Sequence, residues 1–106
     1  MIVYSIEIKI NESVADEWLK WMQKKHIPDV MKTNLFINFK LLQNIQDVCT
    51  YTIQYELESM TQLLKYQQFF AKKLQKEHNA KFLNKFRANR TIFVKNPNMR
   101  LNDLES

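Results

Sequence analysis

Two histidines, His26 and His78, have side chains suited to acid–base work or metal binding at neutral pH. Each ends a run of apolar residues spaced by four, namely Trp18 and Met22 before His26, and Phe70 and Leu74 before His78. A structural role fits the same spacing, because an imidazole near a helix C-terminus favours the helix dipole and bonds a free carbonyl. The spacing leaves both interpretations open.

Metal binding finds little support elsewhere in the chain. The histidines and the single cysteine, Cys49, lie on different predicted elements, without CxxC, HxxxH or HxxE spacing. Cys49 continues the buried alternation of its predicted strand, which indicates an inert core thiol. A lone cysteine forms no disulfide within the chain, so we expect a reducing, cytoplasmic setting. We predict no metal and no cofactor.

Paired carboxylates offer a second kind of chemistry. Glu7 and Glu56, with Lys9 and Lys40, would line a polar pocket if two sheets packed together. Burial would then raise the pKa of the carboxyl groups and make them candidate bases. The alternative is a solvated or salt-bridged face of a sheet.

The absence of glycine excludes several classes of site. Dinucleotide turns, phosphate loops, nucleophile elbows and EF-hand loops all need a residue without Cβ, and the chain has 0 Gly. Positive φ angles must then fall largely to asparagine. Several asparagines stand at predicted ends and turns: Asn11, Asn34, Asn44, Asn79 and Asn96.

Alternating and helical spacing of apolar residues predicts the elements that position these side chains. The first half has a strand over 2–10, a helix from the Ser13–Asp16 capping box to about His26, and a break or new short helix at Pro28. Strands over 35–43 and 48–57 follow, and then a helix from the Ser59–Gln62 capping box to about His78, with Leu63, Tyr66, Phe70 and Leu74 inward. The last elements are an amphipathic stretch with Phe82, Leu83 and Phe86 and a strand over 90–95. We take 1–95 as one domain and 96–106 as a polar C-terminal tail.

This order is βαββαβ, which predicts an α+β, ferredoxin-like fold: a four-stranded antiparallel sheet with two helices on one face. The other face would then be bare. It would carry Val3, Ser5, Glu7, Lys9, Phe36, Lys40, Leu42, Thr50, Thr52, Gln54 and Glu56. Such a face docks on a second sheet, binds a base or stays solvated.

Several segments resemble a family of short bacterial proteins, a domain of unknown function in the dimeric α+β barrel superfamily. They are the first strand, Trp18–Met22, His26–Val30, Tyr51–Tyr55 and Phe86–Thr91, and the resemblance spans roughly 1–94. It implies a ferredoxin-like protomer that forms a homodimer through its sheet face. The superfamily includes cofactor-free monooxygenases, haem-degrading enzymes, isomerases and amino-acid-sensing modules, and fold alone does not choose among them. Of the Asn, Trp and His that the haem-degrading relatives use, only His78 has a loosely similar position, which argues against haem chemistry.

The helix–sheet cleft is the candidate site for a small molecule. Its candidate lining residues are Trp18, His26, Tyr51, Gln54, Tyr55 and Arg90. The favoured function is a homodimeric small-molecule-binding protein or a cofactor-independent enzyme. A non-catalytic interaction or structural protein is an alternative.

Charge suggests a further alternative, weak nucleic-acid binding. Residues 61–100 carry 10 basic and one acidic side chain, most of them within 72–95. An RNA-recognition domain shares the element order, but its glycines are absent and the tyrosines here share the apolar face that should meet the helices. We therefore expect no nucleic-acid partner, and no apolar run is long enough for a membrane span.

Overall fold

The computed structural model describes residues 1–95, and the predicted tail over 96–106 lies outside them. Four strands form one antiparallel sheet: β1 (Ile2–Ile10), β2 (Asn38–Gln43), β3 (Thr50–Leu57) and β4 (Phe86–Val94). Their order across the sheet is β2-β3-β1-β4, so β2 and β4 lie at its edges. The predicted βαββαβ, ferredoxin-like architecture is confirmed.

Two helices cover one face of the sheet, and each contains a wide π turn. After a 3₁₀ turn (Glu12–Val14), the first helix comprises α1 (Ala15–Trp21), a π turn (Met22–His26) and α2 (Ile27–Met31). The second comprises α3 (Met60–Tyr66), a π turn (Gln67–Ala71) and α4 (Lys72–Lys81). Neither helix of the described chain has the length and apolar character needed to cross a membrane.

The first π turn carries the helix through Pro28. The Ile27 N–H donates to the Met22 carbonyl five residues back, so the turn is one residue wider than an α turn. Pro28 then lies in the first turn of α2, where a missing N–H costs least. Of the two outcomes expected at Pro28, the structure therefore shows a new short helix, continuous with the one before it.

The second π turn changes which residues face the core. Leu63, Tyr66 and Leu74 are buried as predicted, but Phe70 is exposed and Ala71 is buried in its place. A π turn holds one extra residue, so the inward stripe moves one position along the chain after Tyr66. The prediction for Phe70 was wrong because it assumed uninterrupted α-helical spacing.

The core lies between the helices and the sheet. The pairing register places Ile6 of β1 beside Ile53 of β3 and Arg90 of β4, so these side chains share the helix-covered face. Trp18 and Phe82 are among the largest fully buried side chains of this layer. Burying a large apolar side chain contributes about 1.5–3 kcal/mol, so this layer is the main source of stability.

Three strands differ from the predicted spans, and of these β3 starts at Thr50, two residues later than predicted. β2 starts at Asn38, and Phe36, expected on the bare face, is buried before the strand, with its ring 5.0 Å from that of Tyr55. β4 starts at Phe86, four residues earlier than predicted. The preceding turn contains Asn84 at φ 60°, a conformation that helix or strand spacing in the sequence does not reveal.

Within the described residues, asparagine does take the positive φ angles, and the expected position Asn96 lies outside them. These angles occur at Asn34 (φ 63°), as expected, and at Asn84. Asn11 caps the first 3₁₀ turn by accepting from the Ser13 N–H, so the cap lies two residues before the predicted Ser13 box. Ser59 does occupy the N-cap position of α3.

Candidate functional site

A cavity lies between the two helices and the sheet, in the cleft predicted from the sequence. Its floor comes from β1, β3 and β4: Tyr4, Ile6, Ile8, Ile53, Tyr55, Phe86, Ala88 and Arg90. Its roof comes from the two helices: Met22, His26, Val30, Tyr66, Gln75, His78 and Asn79. It contains about 40 Å³ of open space, which is enough for a few water molecules.

Helical spacing brings the roof residues together. Met22, His26 and Val30 are separated by four residues each and lie on one face of the first helix. The π turn ends at His26, and single π turns in helices occur often at functional sites. On α4, Gln75, His78 and Asn79 are related in the same way by steps of three and four.

His78 is a buried structural imidazole on the wall of the cavity. The Trp18 indole Nε1–H donates to its Nε2 at 2.9 Å, and both side chains are buried. Because an indole can only donate, Nε2 carries no proton, and the neutral ring has its proton on Nδ1. Burial is the main cause that lowers the pKa of His78, and Arg90 lowers it further, while a hydrogen bond with Asn79 opposes the shift. His78 thus accepts a hydrogen bond from the indole, and the expected bond from the imidazole to a helix carbonyl is not seen among residues 1–95.

His26 has a buried ring nitrogen, Nδ1, without a hydrogen-bond partner in the described part of the chain. Its ring lies 5.6 Å from that of His78 and 5.3 Å from that of Trp21, measured between centroids. Burial, and then the nearby His78, lower the pKa of His26 to about 4. His26 is therefore neutral at pH 7, with a ring nitrogen available to a ligand.

Three tyrosines place hydroxyl groups among the cavity walls. Burial is the main cause that raises the pKa of Tyr4, Tyr55 and Tyr66, so all three are protonated at neutral pH. Arg90 opposes the shift at Tyr4 and Tyr66. The rings of Tyr4 and Tyr66 lie 6.2 Å apart, one from the floor and one from the roof.

Arg90 brings a positive charge to the cavity. Its guanidinium acts on the pKa of Tyr4, Tyr66, His26 and His78, always in the direction that a nearby cation dictates. Among the lining residues that the structure describes, Arg90 is the one permanently charged side chain and none is acidic. The residue is exposed and lies on the edge strand β4, so the cavity reaches solvent beside it.

The structure brings three of the six predicted lining residues to the cavity: His26, Tyr55 and Arg90. Trp18 lies one layer behind, as the donor to His78. The Tyr51 ring packs 5.0 Å from that of Trp18, and its hydroxyl accepts from Gln43, away from the cavity.

Gln54 does not join this group. It pairs with Ser5 of β1 and Lys40 of β2 on the opposite face of the sheet. Strand alternation separates Gln54 from its neighbour Tyr55, so the two cannot line one cavity.

Sequence reasoning missed several lining residues. Tyr4 was expected on the apolar face of its strand and Tyr66 inward on its helix, but neither was named as a lining residue. Asn79 was noted as the end of a helix and not as a lining residue, and Gln75 was not singled out. The signal was present in part, because Gln75, His78 and Asn79 follow Ala71 and Leu74 on the inward side of the second helix. The shift introduced by the π turn concealed it.

The paired carboxylates lie on the open face of the sheet, the face without helices. Glu56 accepts from the Lys95 ammonium at 2.9 Å, which is the main cause that lowers the pKa of its carboxyl group. Lys9 pairs with Asp47 at 3.2 Å. Within this protomer, Glu56 is therefore a salt-bridged carboxylate with a lowered pKa, as the alternative interpretation expected, and not a base with a raised pKa.

Potential metal ligands are dispersed. Within residues 1–95, no three His, Cys, Asp or Glu side chains come close enough to hold a metal ion.

The basic side chains of the second half of the chain are dispersed as well. Lys72, Lys73 and Lys76 are exposed on α4, whereas Arg90 lies on β4 and lines the cavity between the helices and the sheet. The basic stretch 72–95 is therefore divided among α4, the cavity and the open face of the sheet, where Arg87 and Lys95 lie, and its role in binding nucleic acid stays a prediction.

Comparison with solved structures shows how common this fold is. The chain aligns with an uncharacterized NIPSNAP domain protein from Burkholderia xenovorans at a TM-score of 0.72 and 10% identity, over 94% of this chain and 99% of the other. A conserved protein from Methanosarcina mazei Go1 aligns at a TM-score of 0.69 and 14% identity, over 91% and 94%. A structure described as an antibiotic biosynthesis monooxygenase aligns at 0.62 and 14%, over 90% and 100%. At these identities the likeness shows the fold.

Sequence comparison gives the family. No curated protein matches the chain significantly. A family model, the domain of unknown function DUF4286, matches residues 1–95, which is the whole of the described domain. The predicted resemblance is confirmed, and the chain belongs to the DUF4286 family.

Proposed function

We propose that this protein binds a small organic molecule in the helix–sheet cavity. The observation that carries the proposal is the convergence of Arg90 and the unpartnered Nδ1 of His26 on walls that are otherwise mainly apolar or aromatic. A cleft with few convergent polar groups and shifted pKa values is typical of ligand sites. The likeness of the fold to an antibiotic biosynthesis monooxygenase and a NIPSNAP domain protein supports a small-molecule role.

The same cavity equips the protein as a cofactor-independent enzyme. His26 is neutral, lines the cavity and has a buried Nδ1 without a partner among residues 1–95, so it is placed to accept a proton, and its pKa of about 4 makes it a weak base. We propose His26 as the general base if turnover follows binding. A ligand that binds without being changed would assign the protein to the binding class instead.

We also propose that the protein is a homodimer through its open sheet face. This face carries the exposed apolar side chains Leu42 and Phe93, beside half-buried polar residues such as Thr52. An antiparallel sheet with helices on one side alone has a second face available for packing. The free, half-buried Cys49 fits a reducing, cytoplasmic compartment, which we propose as the setting.

A thermal-shift screen of a metabolite library tests the binding proposal. A ligand present at 100 times its Kd adds about 2.7 kcal/mol to the free energy of unfolding, which raises Tm by about 10 °C or more in a domain of this size. Ala88→Leu, which narrows the cavity, is expected to abolish the shift. Ala80→Leu, an equal change at an exposed position of α4, is the matched control and should retain it.

Two results would contradict the proposal. One is a library in which no compound stabilises the unaltered protein. The other is a stabilising compound whose effect is the same in Ala88→Leu and Ala80→Leu, because that compound would bind outside the cavity.

A further inference from the structure

We propose that the ligand of the helix–sheet cavity is a compact organic monocarboxylate, with its carboxylate on Arg90 and its apolar body among the aliphatic and aromatic walls. This inference rests on the proposed function and names the chemical class of its ligand. It comes from the charge, the hydrogen-bonding capacity, the walls and the size of the cavity.

The charge of the cavity is positive and uncompensated. Arg90 makes no salt bridge with any of residues 1–95, and no described lining residue is acidic. The neighbouring strands place their carboxylates on the other face of the sheet. In the strand register, Glu7 lies opposite Asn89 and Glu56 lies opposite Val3, and these positions alternate with those that face the cavity. The Tyr4 hydroxyl accepts a hydrogen bond from the Arg90 guanidinium, and the remaining N–H donors, with no carboxylate of residues 1–95 paired to them, favour an anionic partner.

The other polar groups around Arg90 can donate. The hydroxyls of Tyr4 and Tyr66 are protonated, and Gln75 and Asn79 carry amide N–H groups. A carboxylate accepts several hydrogen bonds, two of them in the parallel geometry that the planar guanidinium offers. A ligand cation would meet repulsion from Arg90 and no counter-charge.

The walls and the volume describe the rest of the ligand. Ile6, Ile8, Met22, Val30, Ile53 and Ala88 offer no hydrogen bonds and fit an uncharged, apolar body. About 40 Å³ of open space is too small for a ring, so we infer a short-chain ligand whose carboxylate lies at the solvent-exposed Arg90 end of the cavity. A phosphate dianion fits less well, because one cation balances half its charge and these walls cannot hydrate the remainder.

The two histidines make the test specific. The chain contains two His, and both line this cavity, so their ring-proton NMR signals report on it directly. The full chain is titrated at low salt with butyrate, with the isosteric neutral amide butyramide and with inorganic phosphate. We expect butyrate to move the histidine signals and to bind about tenfold more tightly than butyramide, since a hydrogen bond to a charged group is stronger than a neutral one.

Two arginines on one strand provide matched variants. Arg90→Gln removes the cation from the cavity. Arg87→Gln makes the same change on the opposite face of the sheet, where Arg87 lies beside Lys9 of β1 in the strand register. The preference for butyrate over butyramide should disappear in Arg90→Gln and persist in Arg87→Gln. Light-scattering masses of both variants verify that assembly is unchanged.

The outcomes separate this inference from the proposed function. If butyramide moves the histidine signals as strongly as butyrate, or if Arg90→Gln keeps the preference, the cavity binds small molecules but the carboxylate class is wrong. Tighter binding of phosphate than of butyrate also refutes that class. If no arm moves the histidine signals, and the metabolite screen is empty, both proposals fail.

Discussion

Acidification should destabilise this protein through His26. Its pKa is about 4 in the folded protein and about 6.5 in an unfolded chain. A lowered pKa means that the unfolded state binds the proton more tightly. Stability is therefore complete above pH 6.5 and is lost as the pH falls from 6.5 towards 4.

The size of the effect follows from the two pKa values. Between pH 7.5 and 4.5 the unfolded imidazole becomes almost fully protonated, whereas the folded one stays mostly neutral. Linkage then gives a loss of about 2.5 kcal/mol in the free energy of unfolding from His26 alone. Burial is the main cause, His78 the second, and Asp29 opposes them.

Urea unfolding at the two pH values measures this loss. The unaltered protein should lose about 2.5 kcal/mol more than His26→Gln, which cannot titrate in this range. Lys24→Gln changes an exposed residue of the same π turn and should retain the full pH dependence. An NMR titration of the His26 ring in the folded protein should give a midpoint near 4. Equal pH dependence in the unaltered protein and His26→Gln, or a midpoint near 6.5, would refute the reasoning.

Three further changes test other features. Trp18→Phe should lower the free energy of unfolding in urea by about 2–4 kcal/mol, because it leaves the buried Nε2 of His78 without its donor and opens a small void. A loss below about 1 kcal/mol would show that the hydrogen bond from the indole contributes little. Asn84→Ala should lower the free energy of unfolding by about 1–2 kcal/mol because Asn84 has φ 60°, while Asn84→Gly should leave it nearly unchanged. Similar losses in both variants would exclude backbone strain as the cause. Glu56→Arg places a cation beside Lys95 on the open face and should convert a dimer into a monomer by light scattering, whereas a monomeric unaltered protein would refute the proposed interface.

Alternation along the strands was enough to predict the fold. Tyr4, Ile6 and Ile8 face the helices, as their period-two spacing indicated, and β3 shows the same regular pattern. Such patterns reflect which face is buried, and burial is what the sequence records most directly. The element order then left few arrangements of sheet and helices.

The site was harder to predict because it depends on features that spacing does not encode. Phe70 was assigned inward because a regular helix was assumed, and the π turn at Gln67–Ala71 gave that position to Ala71. The indole bond from Trp18 to His78 joins residues 60 positions apart, which no local pattern reveals. Gln54 was named as a lining residue together with Tyr55, although neighbouring residues of a strand face opposite ways.

The two π turns also bear on which changes in length this cavity tolerates. Each turn is one residue longer than a regular α turn, so removing a single codon within Gln67–Ala71 would convert it into a regular α turn. The residues before and after the turn would keep their orientation, because the turn itself accommodates the extra residue, and the roof residues Gln75 and His78 would still face the cavity. The chain thus has two positions at which the loss of one residue leaves the roof and the sheet intact. Length variation among relatives at these two turns would therefore be compatible with the same ligand site.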